Sequence, residues 1–394
     1  MCPRRRREQH HRCAHPRQSG LPLMARLPVT VITGFLGAGK TTLLRHLLGH
    51  SGQRLAVMVN EFGTVGLDGD LIRSCGFCPE DELDGRLVEL NNGCLCCTVQ
   101  DDFLPTMNTL LERADRLDGI VIETSGLALP RPLLQALAWP EVRSRVVVNG
   151  VVTVVDGEAL VAGSPVGDPE ALEQQRREDP SLDHLSSIDE LFEDQLQAAD
   201  QVLISRADRL DPSALAALQA QLQARVRPGT GLLAMERGQV DPRIVLGLNT
   251  ASAAEPTPSG DHHDGHHHDS HHDHDHHQDS HHDHSHVEVV GGSVRLDGPL
   301  TRQQLEQRLP AFVQAHRVVR LKGRLWLEGK HLPLQLQMVG PRLDSWFEAA
   351  PEQAWRPASG AGVDLVLIGF DPAAADQLSA QLQALSSTNG SSPA

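Results

Sequence analysis

No apolar run in the chain approaches the ~18 residues that a bilayer span needs, so no membrane crossing is expected. Positive charge is in short supply. Lysine and arginine number 35 against 51 aspartates and glutamates, a formal net charge of -16. That balance argues against nucleic acid or an anionic membrane surface as the main partner. Tyrosine is absent and aromatics make up 3%, although the 40% hydrophobic content is that of a globular protein. The 394 residues suffice for two domains, one of them large enough for a full α/β core. The opening MCPRRRREQHHRCAHPRQSG is basic but has no apolar segment, which makes it a poor secretory signal. Met24 begins MARLPVTVITG just ahead of the first strand-like run. It is the expected start, with the preceding residues an upstream extension; a basic targeting extension is the other reading.

Cysteine is also scarce, at seven residues, and two of these (Cys2 and Cys13) fall in that leader. The remainder, Cys75, Cys78, Cys94, Cys96 and Cys97, are odd in number and tightly clustered. Such a set is a poor disulfide framework, and reduced thiols in a cytoplasmic protein are the better reading.

What is present is an alternation. LPVTVITG (27–34) reads as a buried strand, and KTTLLRHLLGH after it places Leu43, Leu44, Leu47 and Leu48 on one helical face. Further strand-like runs occur at 55–60, 119–124, 145–156, 201–205 and 231–236, with helical stretches between them. The clearest helix spans 213–226, with Asp211 and Pro212 as cap and first-turn residues. Strands alternating with helices predict an α/β fold, a parallel sheet covered by helices on both faces.

Composition breaks near residue 251. ASAAEPTPSG is a linker, and Asp261 to His286 holds 14 of the 22 histidines together with seven aspartates. With nothing apolar to bury, residues 251–286 are expected to be disordered when free of metal. The tract reads either as a metal buffer or as a solvated spacer. Order is expected to resume in a small α+β domain at 287–385, built from VEVVGGSVRL, a helix at TRQQLEQRL, RVVRLKGRLWLEG, LPLQLQMVG and VDLVLIGF. Residues 1–26 and 386–394 are read as a disordered leader and tail, flanking a nucleotide-type domain at 27–250.

GFLGAGKTT matches G-x-x-x-x-G-K-[ST] completely, after a strand and before a helix. Gly34, Gly37, Ala38 and Gly39 let backbone N–H groups wrap phosphates. Lys40 reaches the β/γ oxygens, and the Thr41 hydroxyl, next to Thr42, coordinates Mg2+ at the helix N-terminus. In IVIETSG, Glu123 ends a buried strand and suits a magnesium-water ligand, with Gly126 as γ-phosphate sensor. Lys40, Thr41 and Glu123 are thus the candidates for hydrolysis. Ser205-Arg206-Ala207-Asp208 lies after a strand, where guanine-specific proteins carry Asn-Lys-x-Asp. Asp208 can accept from guanine N1 and N2, Arg206 can lay its stem over the base, and Ser205 is shorter than the usual asparagine. Between phosphate loop and cysteines lies VNEFGTVGLDGD (59–70), where a switch segment is expected; Glu61 and Asp68 could meet magnesium or the bound metal, and a solvated acidic loop is the other reading.

GCLCC (93–97) gathers three thiols. Thiolates favour Zn2+, Co2+ and copper(I), and Cys94, Cys96 and Cys97 would fill most of a tetrahedral shell while leaving one position open. Cys75 and Cys78 form a separate C-x-x-C. With 94–97 that pair would also suit a closed four-thiolate structural zinc site, and simple buried thiols are the other reading.

Taken together, GFLGAGKTT, NEFG (60–63), GCLCC, ETSGLALP (123–130) and the histidine-rich insert before a C-terminal domain resemble the CobW family of P-loop metal-handling GTPases. The resemblance covers residues 27–385. It implies a P-loop NTPase fold and a GTP-dependent metallochaperone that takes GTP and Mg2+ and binds a divalent metal, Zn2+ or Co2+, at Cys94, Cys96 and Cys97. Hydrolysis to GDP and phosphate would release the metal to a client, a metalloprotein or a cobalt chelatase. Cobalt for cobalamin biosynthesis is the leading cargo and zinc supply the alternative; a homodimer is admitted. Two rivals remain: a metal-storage protein regulated by nucleotide, and a small-molecule kinase on the same phosphate loop.

Overall fold

The computed structural model describes residues 25–59, 87–89, 103–178, 187–247 and 289–389. Strand β1 (Leu27–Thr33) leads through the glycine-rich turn into helix α1 (Lys40–His50). Then come β2 (Leu55–Val59), β3 (Leu87–Glu89), α2 (Leu104–Leu111), β4 (Gly119–Glu123), α3 (Pro130–Leu137), α4 (Pro140–Arg143) and β5 (Val146–Asp156). Next are α5 (Gly157–Val161), α6 (Pro169–Glu178), α7 (Ile188–Ala198), β6 (Gln201–Ser205), α8 (Pro212–Arg225), β7 (Gly231–Ala234) and α9 (Pro242–Leu246). The strands form one parallel sheet in the order β3-β2-β4-β1-β5-β6-β7.

Both faces of this sheet are covered, which is why its strands read as continuous apolar runs. Val29 and Val31 pack on one side with Phe103, Met107, Leu133 and Leu137. Ile32 packs on the other with Leu43, Leu44 and Leu47 of α1. α7 and α8 begin where their sequences provide caps. Asp211 accepts from the N–H groups of Ser213 and Ala214, ahead of Pro212 in the first turn of α8. Ser187 and Glu190 exchange hydrogen bonds in a capping box on α7. β1 is flanked by β4 and β5, so the loop after it opens at the point where the chain winds to the two sides of the sheet, the usual ligand crevice of such folds.

The remaining chain builds a second, antiparallel sheet from β8 (Val290–Asp297), β9 (Val318–Trp326), β10 (Leu334–Val339), β11 (Arg342–Phe347) and β12 (Gly362–Gly369), in the order β11-β10-β9-β12-β8. Helices α10 (Arg302–Ala315) and α11 (Ala374–Asn389) cover one face, where Leu321, Leu325 and Leu365 meet Leu305, Phe312, Leu378 and Leu382.

The structure departs from the sequence reading in four places. α10 passes through Pro310 instead of stopping near Leu309; burial of Phe312 and Val313 outweighs the hydrogen bond that proline forfeits. β3 and β11 are strands that the sequence pattern does not announce. α11 continues to Asn389, so residues 386–389 are helical and not part of a disordered tail. Ala25 and Arg26 are likewise ordered: the Arg26 N–H donates to Glu348 Oε1 (3.0 Å), and its guanidinium lies 5.7 Å from the Trp346 ring centroid. Among the described residues no helix is long and apolar enough to cross a membrane.

Candidate phosphate and base site

The turn between β1 and α1 holds Gly37 at φ 75° and Gly39 at φ 105°, left-handed values that a side chain would strain. Wound this way, the turn presents backbone to the crevice, and α1 starts at Lys40 with its first N–H groups free of intrahelical partners. Lys40 is buried and folds back across the turn, its Nζ donating to the Phe35 carbonyl (3.2 Å). Thr41, one residue on, donates its hydroxyl to Glu123 Oε1 (3.3 Å). Glu123 ends β4 and is 4% exposed.

Beyond Glu123 the chain passes close under the turn. A Cβ at Gly126 would lie 2.6 Å from the Leu36 backbone nitrogen, so only glycine allows this approach. Between them Ser125 is buried, and among the described residues its hydroxyl has no hydrogen-bond partner. An orphaned buried hydroxyl beside such a turn is unusual in a protein at rest and fits a polar ligand. The donor set also fits Mg2+: one hydroxyl and one buried carboxylate, both oxygen.

The third loop comes from β6. Ser205 donates its hydroxyl to the Val155 carbonyl (3.1 Å), which ties it to the neighbouring strand, and its Cβ lies 3.6 Å from where a Cβ of Gly39 would be. Arg206 is left-handed at φ 54°. Its guanidinium donates to the Gly37 carbonyl (3.1 Å) and pairs with Asp156. Asp208 sits in the following turn of 3-10 helix, Ala207–Arg209, and is exposed.

The structure thus brings together Gly34, Gly37, Ala38, Gly39, Lys40, Thr41, Glu123, Gly126, Ser205 and Arg206, with Thr42 on the exposed side of α1. The structure adds two further features. Asp156 is 3% exposed, caps α5 by accepting from the Ala159 N–H (3.2 Å) and holds Arg206. A signal for it exists in the sequence: VVTVVD ends a buried strand in an acid, as IVIE does. The second is the turn Glu236–Gln239, where Arg237 (φ 51°) and Gly238 (φ 77°) are both left-handed and Gly238 packs against Thr42. Glu61, Asp68, the cysteines at 75, 78, 94, 96 and 97, and the histidine tract lie outside the described residues. Among those described, no group of three or more His, Cys, Asp or Glu side chains is placed to hold a metal ion.

Comparison with known proteins agrees with this architecture. The family described as "CobW/HypB/UreG, nucleotide-binding domain" matches residues 28–232, and "Cobalamin synthesis protein cobW C-terminal domain" matches 289–386. The chain is 43% identical over 357 residues to "Zinc chaperone CobW" of Pseudomonas aeruginosa, covering 89% of this chain and 90% of that one. A second "Zinc chaperone CobW", from Sinorhizobium sp, is 41% identical over 88% of this chain and 93% of its own. "Zinc-regulated GTPase metalloprotein activator 1" of Schizosaccharomyces pombe is 45% identical over 134 residues, 33% of this chain and 32% of that one.

Proposed function

The chain belongs to the CobW/HypB/UreG family, and on that premise we propose that it is a GTP-dependent metallochaperone whose cargo is zinc. The observation that carries the nucleotide half is the meeting of three loops at one end of the parallel sheet: Lys40 and Thr41, Glu123 with Gly126, and Ser205 with Arg206. The zinc half is supported by the two relatives above 40% identity that match most of the chain, both zinc chaperones by name. Cobalt is the less favoured cargo on that footing.

In this reading the backbone N–H groups from Gly37 to Thr42 receive the phosphates, and Lys40 exchanges its contact with the Phe35 carbonyl for phosphate oxygens. Thr41 and Glu123 would hold Mg2+, which would supply positive charge against the developing negative charge of the phosphates. Gly126, pressed against Leu36, reports the γ-phosphate through its own N–H. Ser205 is engaged with Val155, so guanine preference falls to Asp208, while the stem of Arg206 lies along the base. Glu61 belongs to a switch between the phosphate loop and the thiols. Cys94, Cys96 and Cys97 carry the ion, and hydrolysis frees it to a client metalloprotein.

The experiment is a competition titration of Zn(II) against Co(II) on the full chain, with Mg-GTP, with Mg-GDP and without nucleotide. Mg-GTP is expected to tighten the thiolate-bound zinc by at least ~5-fold, and by reciprocity zinc tightens GTP equally. Cys96→Ala removes that gain and leaves the histidine tract's weaker binding; Lys40→Ala removes phosphate release. Zinc affinity indifferent to nucleotide would leave a storage protein in place of a chaperone.

A further inference from the structure

At the opposite end of the parallel sheet from the phosphate loop, a cavity of about 360 Å³ lies between the two sheets. Leu27 and Pro28, where β1 begins, line it, so β1 separates it from the phosphate turn by about 20 Å at ~3.3 Å per residue. It falls within the range of about 300–1,000 Å³ seen for small-molecule pockets.

One wall is the uncovered face of the antiparallel sheet. Side chains alternate along a strand, so Arg320, Lys322 and Arg324 share this face of β9 while Leu321 and Leu325 enter the core behind it. Arg320 is fully committed. Its guanidinium donates to the carbonyls of Ile244, Val245 and Asn149 and to Asn149 Oδ1. Lys322 is different. It lines the cavity, and among the described residues its ammonium has neither a hydrogen bond nor an ion pair. Burial, with Arg324 alongside, lowers its pKa below the usual lysine value.

Among the described residues no carboxylate lies within ion-pair distance of Lys322, although the charge of Glu348 acts on it and opposes the lowering. Asp118 accepts from the Arg54 backbone and guanidinium. Glu348 takes Arg26 N–H and Trp346 Nε1, and Asp364, opposite Arg324, takes Arg295. Asp115, also on the cavity lining, is exposed. The Lys322 ammonium is half-buried and open to the cavity, so an anion entering there meets a charged donor set held by no described side chain. The rest of the lining is largely aliphatic, Leu246, Val339, Val366 and Ile368 among it.

We propose that this cleft is a second ligand site, for a small organic anion: an aliphatic body against those side chains, and one carboxylate or phosphate group on the Lys322 ammonium. Gln337, paired with Lys322 across the sheet and lining the same space, fixes the wall by donating to the Val148 carbonyl (3.0 Å). The site is separate from the nucleotide and owes nothing to the thiols.

The test uses the full chain saturated with Mg-GDP, so that the phosphate loop is filled, and calorimetric titration with hexanoate, hexyl phosphate, hexanol and inorganic phosphate. One equivalent of hexanoate, hexyl phosphate or both is expected to bind, and whichever is tighter identifies the head group. Hexanol, without charge, and inorganic phosphate, without the aliphatic body, are expected to bind at least tenfold more weakly. Lys322→Met is expected to lose at least tenfold in affinity for the anions. Val366→Phe, which fills the cavity and keeps the ammonium, is expected to abolish uptake, and it carries the test if Lys322→Met does not fold by circular dichroism. No uptake of either anion by the unaltered chain, equal uptake of hexanol, or undiminished uptake by a folded variant overturns the proposal.

Discussion

Gly126 has no unusual backbone angle, yet it is among the least replaceable residues of the crevice. A methyl group there would meet the backbone nitrogen of Leu36, and backbone cannot rotate aside as a side chain can. Gly126→Ala is therefore expected to push the phosphate turn outward and weaken GTP binding at least tenfold, read by titration with a fluorescent GTP analogue. The fold should survive, because β4 and β1 remain paired beneath. This residue is legible as a candidate from ETSG alone. What the sequence does not disclose is that its role rests on distance to Leu36, a residue 90 positions earlier. Asp156 escapes a sequence reading for a related reason. Its partner Arg206 lies just past the next strand, and only the sheet order makes the two neighbours.

Among the elements, α1 and α8 are readable because their signals are local: apolar spacing, a capping acid, a proline in the first turn. β3 has three residues and no period to read, and every residue of β11 up to its end is half-buried, so RLDSWF shows no clean alternation. In α10 the local stop signal of Pro310 competes with the apolar residues behind it, and burial decides. The cap on α8 gives a pH prediction. Hydrogen bonds from Ser213, then Ala214, hold the Asp211 carboxyl below the usual carboxylate pKa. A depressed folded pKa means the stabilisation is present above the unfolded value of about 3.9 and is lost as pH falls through the folded one. Melting temperatures of the parent and Asp211→Ala should accordingly differ by a constant amount above pH ~5 and converge as pH falls through the folded pKa.

On the scale of the molecule, the two sheets are joined by polar contacts that no local pattern announces. Asp200, fully buried just before β6, accepts from Arg227 Nη2 (2.7 Å), from Arg342 Nε of the second sheet (2.7 Å) and from the Val151 N–H (2.9 Å). Arg320 reaches across beside it, and burial lowers its pKa to about 9, with Asp200 opposing the shift, so it is still charged at neutral pH. Removing the carboxylate leaves Arg342 without its ion-pair partner and Arg227 with only the Ala198 and Ala199 carbonyls. Asp200→Ala is expected to cost about 3 kcal/mol in urea unfolding, the lower end for a broken buried pair because both arginines keep some solvent. Arg342→Met should cost less, since Asp200 retains Arg227. An intermediate plateau in the Arg342→Met transition, absent from the parent, would mean that the second sheet had begun to unfold on its own.

The Arg206 clasp has a consequence for how a nucleotide is sensed piece by piece. One guanidinium belongs to both halves of the crevice: it fastens the turn that would hold phosphates to the loop that would hold the base. Half-ligands offered separately would then not be strangers. Pyrophosphate settling the turn would settle the base loop through Arg206, and guanosine would find part of its ordering cost already met. Guanosine should bind more tightly with pyrophosphate present than without it, and Asp156→Asn, which loosens the shared side chain, should make the two indifferent to one another.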